Sequence, residues 1–286
     1  MAIAVLSQVK RALSNLNPGQ VREEAERPVS VGIVAASAES LGRMETYFAP
    51  AHLSPNRRAQ SVRLLVRGSA SGCDVEIYES SLLRPMNAFS FDAEAPDDCV
   101  RQILRAREEL AIPLARGLYP FRKPAAHRVI RAIAKENAMF CLATALPDIV
   151  PGLASLPWAV GEFGSDAAFL TMNQIRMAFY LAAGSDRAVG YREQKSEIAS
   201  IVAGAFGWRA LARELIGKVP FGGGLIPKAA VSYAGTFAVG VSLERLYRLG
   251  YGFTRTERRA VYEEAYLHGR QIAGMLLDGL RQRRAG

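Results

Sequence analysis

The sequence has few cysteines and no pattern that would use them. Its three cysteines, Cys73, Cys99 and Cys141, are an odd number with wide spacings and no CxxC pair, which fits neither a disulfide scaffold nor a zinc site. The first residues, MAIAVLSQVKRAL, lack a basic segment ahead of an apolar core, so we expect no secretory signal. These absences favour the cytoplasm or the cytoplasmic side of a membrane.

Catalytic motifs are missing as well. No HExxH, GxSxG or CxxC pattern accompanies the three histidines, which lie far apart at His52, His127 and His268. Adjacent carboxylates such as Glu108 and Glu109 do not share a face of a helix, so they indicate no acid–base pair. We therefore predict that the protein is not an enzyme and has no catalytic, cofactor-binding or metal-binding residues and no cofactor.

One possible phosphate loop follows the β-branched run PVSVGIVAAS. Aligned to GxxxxGK[ST], Gly32 matches the first glycine, but Ser37, Ala38 and Glu39 replace the second glycine, the lysine and the magnesium-binding hydroxyl. Without the lysine, bound phosphates lose their counter-charge, and Glu39 would set a carboxylate against them. No asparagine is followed by aspartate three residues later, so NKxD is absent. We expect a plain strand–turn–helix and no nucleotide.

The positive charge is unevenly distributed. The net charge of +9 divides into −2 for residues 1–100, +6 for 101–137, +1 for 138–243 and +4 for 244–286. Basic flanks around a nearly neutral, apolar region are attracted by an anionic cytoplasmic leaflet, although a solvated helix face is the simpler cause of a charge run. The basic segments lack a nucleic-acid motif, so we expect no nucleic-acid partner. Four tyrosines are expected to face the core or an interface: Tyr247, Tyr251, Tyr262 and Tyr266.

The first part of the chain predicts a small α/β unit. Apolar residues at helical spacing predict a helix over 2–16, which a turn at 17–19 ends, and a charged connector follows over 22–27. Beyond it, β-branched runs and turn residues predict the following elements: a strand in PVSVGIVAAS, a helix over 39–48, strands over 61–67 and 73–78, a loop over 80–96, and a helix over 97–110 with Asp97 as its N-cap.

From Pro120 onward the sequence predicts helices and no strand. Glycine and proline separate them into 123–145, 166–183, 192–205, 207–217, 226–248 and 255–282. Thr254 and Glu257 form a capping box before the last helix. The predicted fold class is α+β, with an N-terminal helix and small α/β unit over residues 1–117 and a mainly helical domain with very apolar central helices over 118–286.

Two apolar stretches raise the question of a membrane. Prolines interrupt residues 138–161, and the uninterrupted helix from Pro227 to Leu243 is short against the roughly 20 residues that a span requires. Insertion or tight membrane association and a soluble bundle therefore remain open alternatives. Small residues would let a second helix approach closely in either case, at Ala230, Ala234, Gly235 and Ala238.

Each apolar stretch contains one charge. Asp148 is the only charged residue before Glu162 in the first stretch, and Lys228 is the only one in 219–243. An unpaired charge in hydrocarbon or a dry core is costly, which predicts that the two side chains form a structural polar pair. Alternatively, both residues lie at helix ends next to prolines, where polar groups reach the surface.

Four segments in the helical part resemble domain-of-unknown-function family 697. They are NAMFCLATALPDIVPG, TMNQIRMAFYLAAGSD, EIASIVAGAFGWRALARELIGKVP and GGGLIPKAAVSYAGTFAVGVSLERLY, within about residues 115–255. The resemblance rests on a proline-broken apolar helix, Asn173-Gln174, Gly222–Gly224 and the following AxxAGT-like helix. It implies a helical domain, often predicted to be membrane-embedded and attached to Era-type GTPase domains, with no established reaction. It also implies that the loop at Gly32 is a vestige of a GTPase first strand.

We therefore expect a non-enzymatic, membrane-associated helical protein with a vestigial nucleotide-binding-like N-terminal unit. Residues 123–286 should direct it to membranes, and residues 1–117 should not. The expected partner is a membrane surface or bilayer, or a protein partner or second copy. The alternative is a cytoplasmic GTPase-like switch or adaptor that binds a nucleotide or a GTPase partner.

Overall fold

The computed structural model describes residues 16–68, 71–145, 166–203 and 224–285. It combines a small four-stranded parallel sheet with a majority of helical residues, which confirms the α+β class. The elements before residue 122 are α1 (Pro18–Glu26), β1 (Val31–Val34), α2 (Ala38–Phe48), α3 (Pro55–Arg63), β2 (Leu65–Arg67), β3 (Val75–Glu79), β4 (Phe89–Phe91), α4 (Pro96–Ala106) and α5 (Ala111–Gly117), with 3-10 turns at Glu108–Leu110 and Tyr119–Phe121.

The rest of the described chain is helical. It contains α6 (Arg122–Ala145), α7 (Asp166–Gly184), α8 (195–203), α9 (Leu225–Leu249) and α10 (Arg255–Ala285). These helices agree closely with the predicted ranges, and the described residues after 120 include no strand. The predicted helices over 2–16 and 207–217 lie outside the described residues, as does most of the first apolar stretch.

The chain divides into two compact units. The α/β unit comprises the described residues of 19–127 and 182–188, and the helical unit comprises residues 16–18, 128–145, 166–181, 189–203 and 224–285. The division falls within α6, beyond the boundary predicted between residues 117 and 118. Phe121 and Ala125 explain this position, because both are buried in the core of the α/β unit.

A parallel sheet in the order β2-β1-β3-β4 forms the centre of the α/β unit. Val31 pairs with both Leu65 and Val75, and Ile77 pairs with Phe89. Three consecutive residues of β1 are buried, a pattern typical of parallel strands with both faces covered. Apolar side chains from the helices complete this core: Met44, Phe48, Val100, Ile103, Leu114 and Phe121.

Several predicted elements before residue 122 are wrong, among them the turn over 17–19, because Pro18 and Gly19 begin α1. The charged connector over 22–27 belongs largely to α1, in which Val21 and Ala25 are buried one turn apart. Residues 61–63 belong to α3 rather than to a strand, because a helix that starts with Pro55 continues to Arg63. Strand β4 lies within the predicted loop over 80–96, where three residues suffice to pair with β3.

The start of α4 also differs from the prediction. The helix begins at Pro96 with Ala95 at the N-cap, so Asp97 does not cap it. Proline is suited to the first helical position because its missing N–H needs no partner there. Asp97 lies in the first turn, where its negative charge complements the helix dipole, and it accepts a hydrogen bond of 2.6 Å from the Tyr47 hydroxyl.

A carboxylate ties the starts of β1 and β3 together. The backbone N–H and the hydroxyl of Ser30 donate to Asp74 Oδ2 at 2.8 and 2.9 Å, and the Asp74 N–H donates to Ser30 Oγ at 3.1 Å. The bond from the Ser30 N–H is the main reason that the pKa of Asp74 lies below its usual range. The ionised carboxylate therefore stabilises the fold.

This clamp predicts a pH-dependent effect of Asp74→Ala. At neutral pH the variant should lose about 1 kcal/mol of unfolding free energy, because the Ser30 donors lose their acceptor. The pKa of Asp74 is lower in the folded state than in the unfolded state. The stabilisation by the ionised carboxylate is therefore fully present above the unfolded-state pKa, and it is lost as the pH falls through the folded-state pKa. Urea unfolding of both proteins should therefore show the difference shrinking below about pH 4. Glu94→Ala, an exposed control, should differ from the parent by less than about 0.5 kcal/mol at every pH. A pH-independent Asp74→Ala effect would contradict this account.

Small residues allow close packing in the helical unit, as predicted. A Cβ added at Gly269 of α10 would lie 3.0 Å from the backbone oxygen of Ala230 in α9. Ala234 and Ala238 lie in one buried cluster with Tyr262 and Ala265 of α10. The small side chains of α9 thus let α10 pack directly against it, whereas a Cβ at Gly235 would meet nothing within 4 Å.

Candidate functional site

The residues aligned to the P-loop do not form a phosphate loop. Gly32 lies inside β1, paired with Val66 on one side and Glu76 on the other. Only residues 35–37 connect β1 to α2. The glycine that would begin a phosphate loop is therefore part of the sheet, and the segment is the plain strand–turn–helix that the sequence favours.

A carboxylate occupies the position where this fold would hold a ligand. In open parallel sheets, ligands bind beyond the carboxyl ends of the strands where the strand order reverses, here between β1 and β3. Glu79, the last residue of β3, accepts a hydrogen bond of 2.7 Å from the Ala36 N–H in the β1–α2 connection. This bond, followed by one from the Ser40 side chain, lowers the pKa of Glu79. The side chain of Ser37 accepts from the Ser40 N–H and caps α2.

We therefore predict that GTP and ATP do not bind at the β1–α2 connection. Glu79 already accepts from the Ala36 N–H, and no lysine stands in the connection to neutralise a phosphate. A titration with a fluorescent GTP analogue should show no saturable binding at this connection at micromolar concentration, and Glu79→Ala should not create it. Saturable binding that Ala36→Trp abolishes would contradict the prediction.

A buried polar network lies inside the helical unit. The Asn137 amide in α6 donates to Thr236 Oγ1 in α9 at 2.8 Å, and the Asn173 amide in α7 donates to Asn137 Oδ1 at 2.8 Å. Both asparagines are fully buried. The Gln174 amide also donates to Thr236 Oγ1, at 3.4 Å. These bonds fix the register of three helices, since a shift of any one would leave buried polar groups unpaired.

An ion pair adjoins this network. Glu136, next to Asn137 in α6, forms an ion pair with Arg176 of α7. The Asn173 amide also lies 3.5 Å from the Glu136 carboxylate. The sequence drew attention to Asn173-Gln174 and to the segments that contain Asn137 and Thr236, but it did not show that these residues meet, because they come from three separate helices. The arrangement contains no nucleophile next to a base, so its geometry supports a structural role.

Asn137→Ala tests this structural role. Removing the central amide breaks the two 2.8 Å bonds in a buried site and leaves Asn173 and Thr236 only their longer contacts with Glu136 and Gln174, so the unfolding free energy should fall by about 1–3 kcal/mol. Chemical denaturation measures the change. Lys135→Ala, an exposed substitution two positions earlier on α6, should cost less than about 0.5 kcal/mol. Equal effects of the two substitutions would show that the network does not stabilise the unit.

His52 and His268 lie against aromatic rings, and the predicted polar pair is not tested by the described residues. The His52 ring packs edge-on against Tyr119, and the His268 ring lies 5.7 Å from that of Tyr233. Residues 16–68, 71–145, 166–203 and 224–285 contain no cluster of potential metal ligands. Lys228 is exposed in the first turn of α9, as the alternative of a helix end predicts. Asp148 lies outside the described residues, and the pair stays a prediction.

The turn between α9 and α10 exposes apolar and aromatic side chains. Helix α9 ends at Leu249, and Gly250 adopts a left-handed conformation with φ of 84° that reverses the chain. Leu249 is 42% exposed and Tyr251 is 57% exposed. The predicted capping box is confirmed, because the Thr254 N–H donates to Glu257 Oε2 at 2.8 Å and the Glu257 N–H donates to Thr254 Oγ1 at 3.3 Å. This turn is therefore well defined and displays both side chains.

We call residues 244–259 the hairpin tip. It contains five arginines and two glutamates, a net charge of +3. Arg245 pairs with Glu257 at 2.9 Å and lies over the rings of Tyr251 and Phe253, with its Cζ 5.2 and 4.5 Å from their centroids. The other paired arginines are Arg248, with Glu244, and Arg259, with Glu263.

Two arginines of the hairpin tip keep their charge uncompensated. Arg255 and Arg258 are exposed and form no ion pair with a carboxylate of the described chain. Of the four tyrosines in this region, Tyr247 and Tyr262 are buried and Tyr266 is half-buried, as predicted, but Tyr251 is exposed. The basic charge of residues 244–286 was the sequence signal for this surface. The exposure of the Tyr251 side chain could not be predicted from that charge, because the exposure depends on the conformation of the turn.

Comparisons with known proteins return no relative. No family model, no curated protein and no solved structure matches the chain. Within the described parts of the chain, none of the helices combines the length and the apolar character that a transmembrane span requires. The candidate sites therefore rest on the geometry of the chain itself.

Proposed function

We propose that the chain is a non-enzymatic protein that binds peripherally to an anionic membrane surface through the hairpin tip. The observation that carries the proposal is the exposure of Leu249 and Tyr251 next to arginines without carboxylate partners, Arg255 and Arg258. Tyrosine is enriched at membrane interfaces because its ring is apolar and its hydroxyl is polar. Arginine suits the same membrane–water boundary, because its long apolar stem can lie against lipid while its charged guanidinium stays in water.

The charges of the hairpin tip set the expected strength. A basic residue near an anionic surface contributes about 1 kcal/mol, so a net charge of +3 supplies about 3 kcal/mol at low salt. Such attraction alone is weak, and stable association needs a second signal. Burial of Leu249 and Tyr251 in the headgroup region supplies it. This mode of binding requires no spanning helix.

The helical segments support the same proposal by resemblance. Kinship with family 697 would place the helical unit among domains that are often predicted to be membrane-embedded. We extend the proposal to that kinship, which rests on the four segments named above. Descent of the α/β unit from a GTPase domain rests on the strand order β2-β1-β3-β4 and its β1–β3 switch point.

A cytoplasmic switch or adaptor is the second candidate. The β1–β3 switch point favours it, since this is where related sheets hold a ligand. The three-residue connection after β1 and the bond from Ala36 to Glu79 count against a nucleotide there. In this alternative the chain would act by binding a GTPase partner, and its hairpin tip would show no preference for anionic lipid.

Vesicle co-sedimentation of the full chain tests the proposal. We expect binding to phosphatidylcholine vesicles that contain phosphatidylserine, weak binding to phosphatidylcholine alone, and loss of binding at high salt. Arg255→Gln/Arg258→Gln should weaken binding roughly 30-fold, because two charges of about 1 kcal/mol each are removed. Leu249→Ser/Tyr251→Ser should weaken it without reducing its salt dependence.

The control removes the same charge from elsewhere in the helical unit. Arg131→Gln/Arg270→Gln replaces two exposed arginines outside the hairpin tip and should bind nearly as well as the parent. Equal losses in both charge variants would show that net charge, and not the hairpin tip, is responsible. Absence of binding to phosphatidylserine vesicles at low salt would refute the membrane proposal.

A further inference from the structure

A cleft in the α/β unit is lined by arginines from four separate segments. Its volume is about 320 Å³, and it lies between the end of α1, helices α3 and α5, and the start of α6. The charged residues that line it are Glu26, Arg27, Arg57, Arg116, Arg122 and Asp186. Four guanidinium groups thus face two carboxylates, which leaves the lining with a net charge of +2.

The two carboxylates pair with only two of the four arginines. Asp186 forms ion pairs with Arg57 and with Arg116, the latter at 3.3 Å, and its backbone oxygen accepts from Arg57 at 3.1 Å. Glu26 lies 3.7 Å from the same Arg116. Arg57 and Arg116 are therefore held in place by acidic partners, as fixed parts of the cleft wall.

The other two arginines are not held by a carboxylate of the cleft in this way. The charge of Arg27 acts electrostatically on Asp74 and Glu109, neither of which lines the cleft. Arg27 and Arg122 form no ion pair with a carboxylate of the described residues. Arg122 is half-buried, its Nε donates to the Ala115 carbonyl at 3.3 Å, and its guanidinium lies over the Tyr119 ring. Burial and the nearby positive charge of Arg57 lower the pKa of Arg122. A half-buried cation without a carboxylate partner is costly, so an anion beside Arg122 would stabilise it.

The backbone holds this lining in a defined shape. Asp186 follows the end of α7 with φ of 54°, a left-handed conformation that aspartate tolerates better than most residues. The Arg187 N–H donates to the Ala182 carbonyl and the Asp186 N–H to the Ala183 carbonyl, the two bonds of a Schellman motif. Elsewhere in the lining, the buried Ser61 hydroxyl donates to the Gly117 carbonyl at 2.7 Å. The carboxylate that orients Arg57 and Arg116 is thus itself fixed.

We propose that this cleft binds the phosphate group of a small phosphate ester or of inorganic phosphate, between Arg27 and Arg122. Guanidinium groups present planar pairs of donors that match phosphate oxygens, and a dianion balances the net charge of +2. The volume lies at the lower end of the range for small-molecule sites, which suits a compact ligand. This site is separate from the hairpin tip and does not depend on the membrane proposal.

Isothermal titration of the full chain in chloride buffer of constant ionic strength tests the site. Inorganic phosphate and glycerol phosphate are the soluble probes, and vesicles that contain phosphatidic acid present the same group on a lipid. Arg122→Gln and the exposed Arg27→Gln should each weaken phosphate binding at least roughly tenfold, as loss of a charge-assisted hydrogen bond predicts. Arg63→Gln, exposed on α3 outside the cleft, is the matched control and should bind like the parent.

The outcomes separate this proposal from the membrane proposal. Soluble binding that Arg122→Gln or Arg27→Gln weakens, while phosphatidylserine vesicle binding is unchanged, supports a free phosphate ligand. Arg122-dependent binding of phosphatidic acid vesicles alone would assign the phosphate group to a lipid. If neither probe binds, or if Arg63→Gln weakens binding as much as the cleft variants, the cleft is not a phosphate site. Thermal unfolding of each variant shows whether it is folded. If Arg122→Gln does not fold, the exposed Arg27→Gln still decides the test.

Discussion

Backbone N–H groups at the ends of strands and helices need acceptors, and in this chain carboxylates supply several of them. Asp74 accepts from Ser30 before β1, Glu79 accepts from Ala36 after β1, and Glu257 accepts from Thr254 before α10. In each case these hydrogen bonds lower the pKa of the carboxyl group. An unpaired N–H would cost free energy wherever water is excluded, so these acids are part of the framework.

The hydrogen bonds of these acids also bear on which arginines have carboxylate partners. The chain has 36 basic and 27 acidic residues. Asp74 and Glu79 form no ion pair with an arginine of the described residues, whereas Glu257 also pairs with Arg245. Among the arginines that form no ion pair with a described carboxylate are two at the hairpin tip, Arg255 and Arg258, and two that line the cleft, Arg27 and Arg122. A solvated charge run would spread its cations over a helix face. At each place one arginine lies over an aromatic ring: Arg245 over Tyr251 at the hairpin tip, and Arg122 of the cleft over Tyr119.

How far the sequence predicts this fold depends on the range of the interactions involved. The helix over 38–48 and the capping box at Thr254 are set by residues within one or two turns, and both were predictable. Strand β4 exists because it pairs with β3. Ser61 lies in helix α3, and its hydroxyl donates to the carbonyl of Gly117. Those contacts join distant parts of the chain, so periodicity could not show them. The cleft arginines likewise come from positions up to about a hundred residues apart.

The kind of cation supports the proposed sites. Thirty of the 36 basic residues are arginine and only six are lysine. Lysine would serve equally well to raise solubility or to provide a diffuse positive charge. Arginine differs in that it stacks on aromatic rings and presents paired donors to phosphate and carboxylate oxygens. Arg245 uses the first property against Tyr251 and Phe253, and Arg57 uses the second toward Asp186. At the hairpin tip and in the cleft, the cations without carboxylate partners are arginines as well, and the phosphate groups of lipids and small esters are the oxyanions that such donors match.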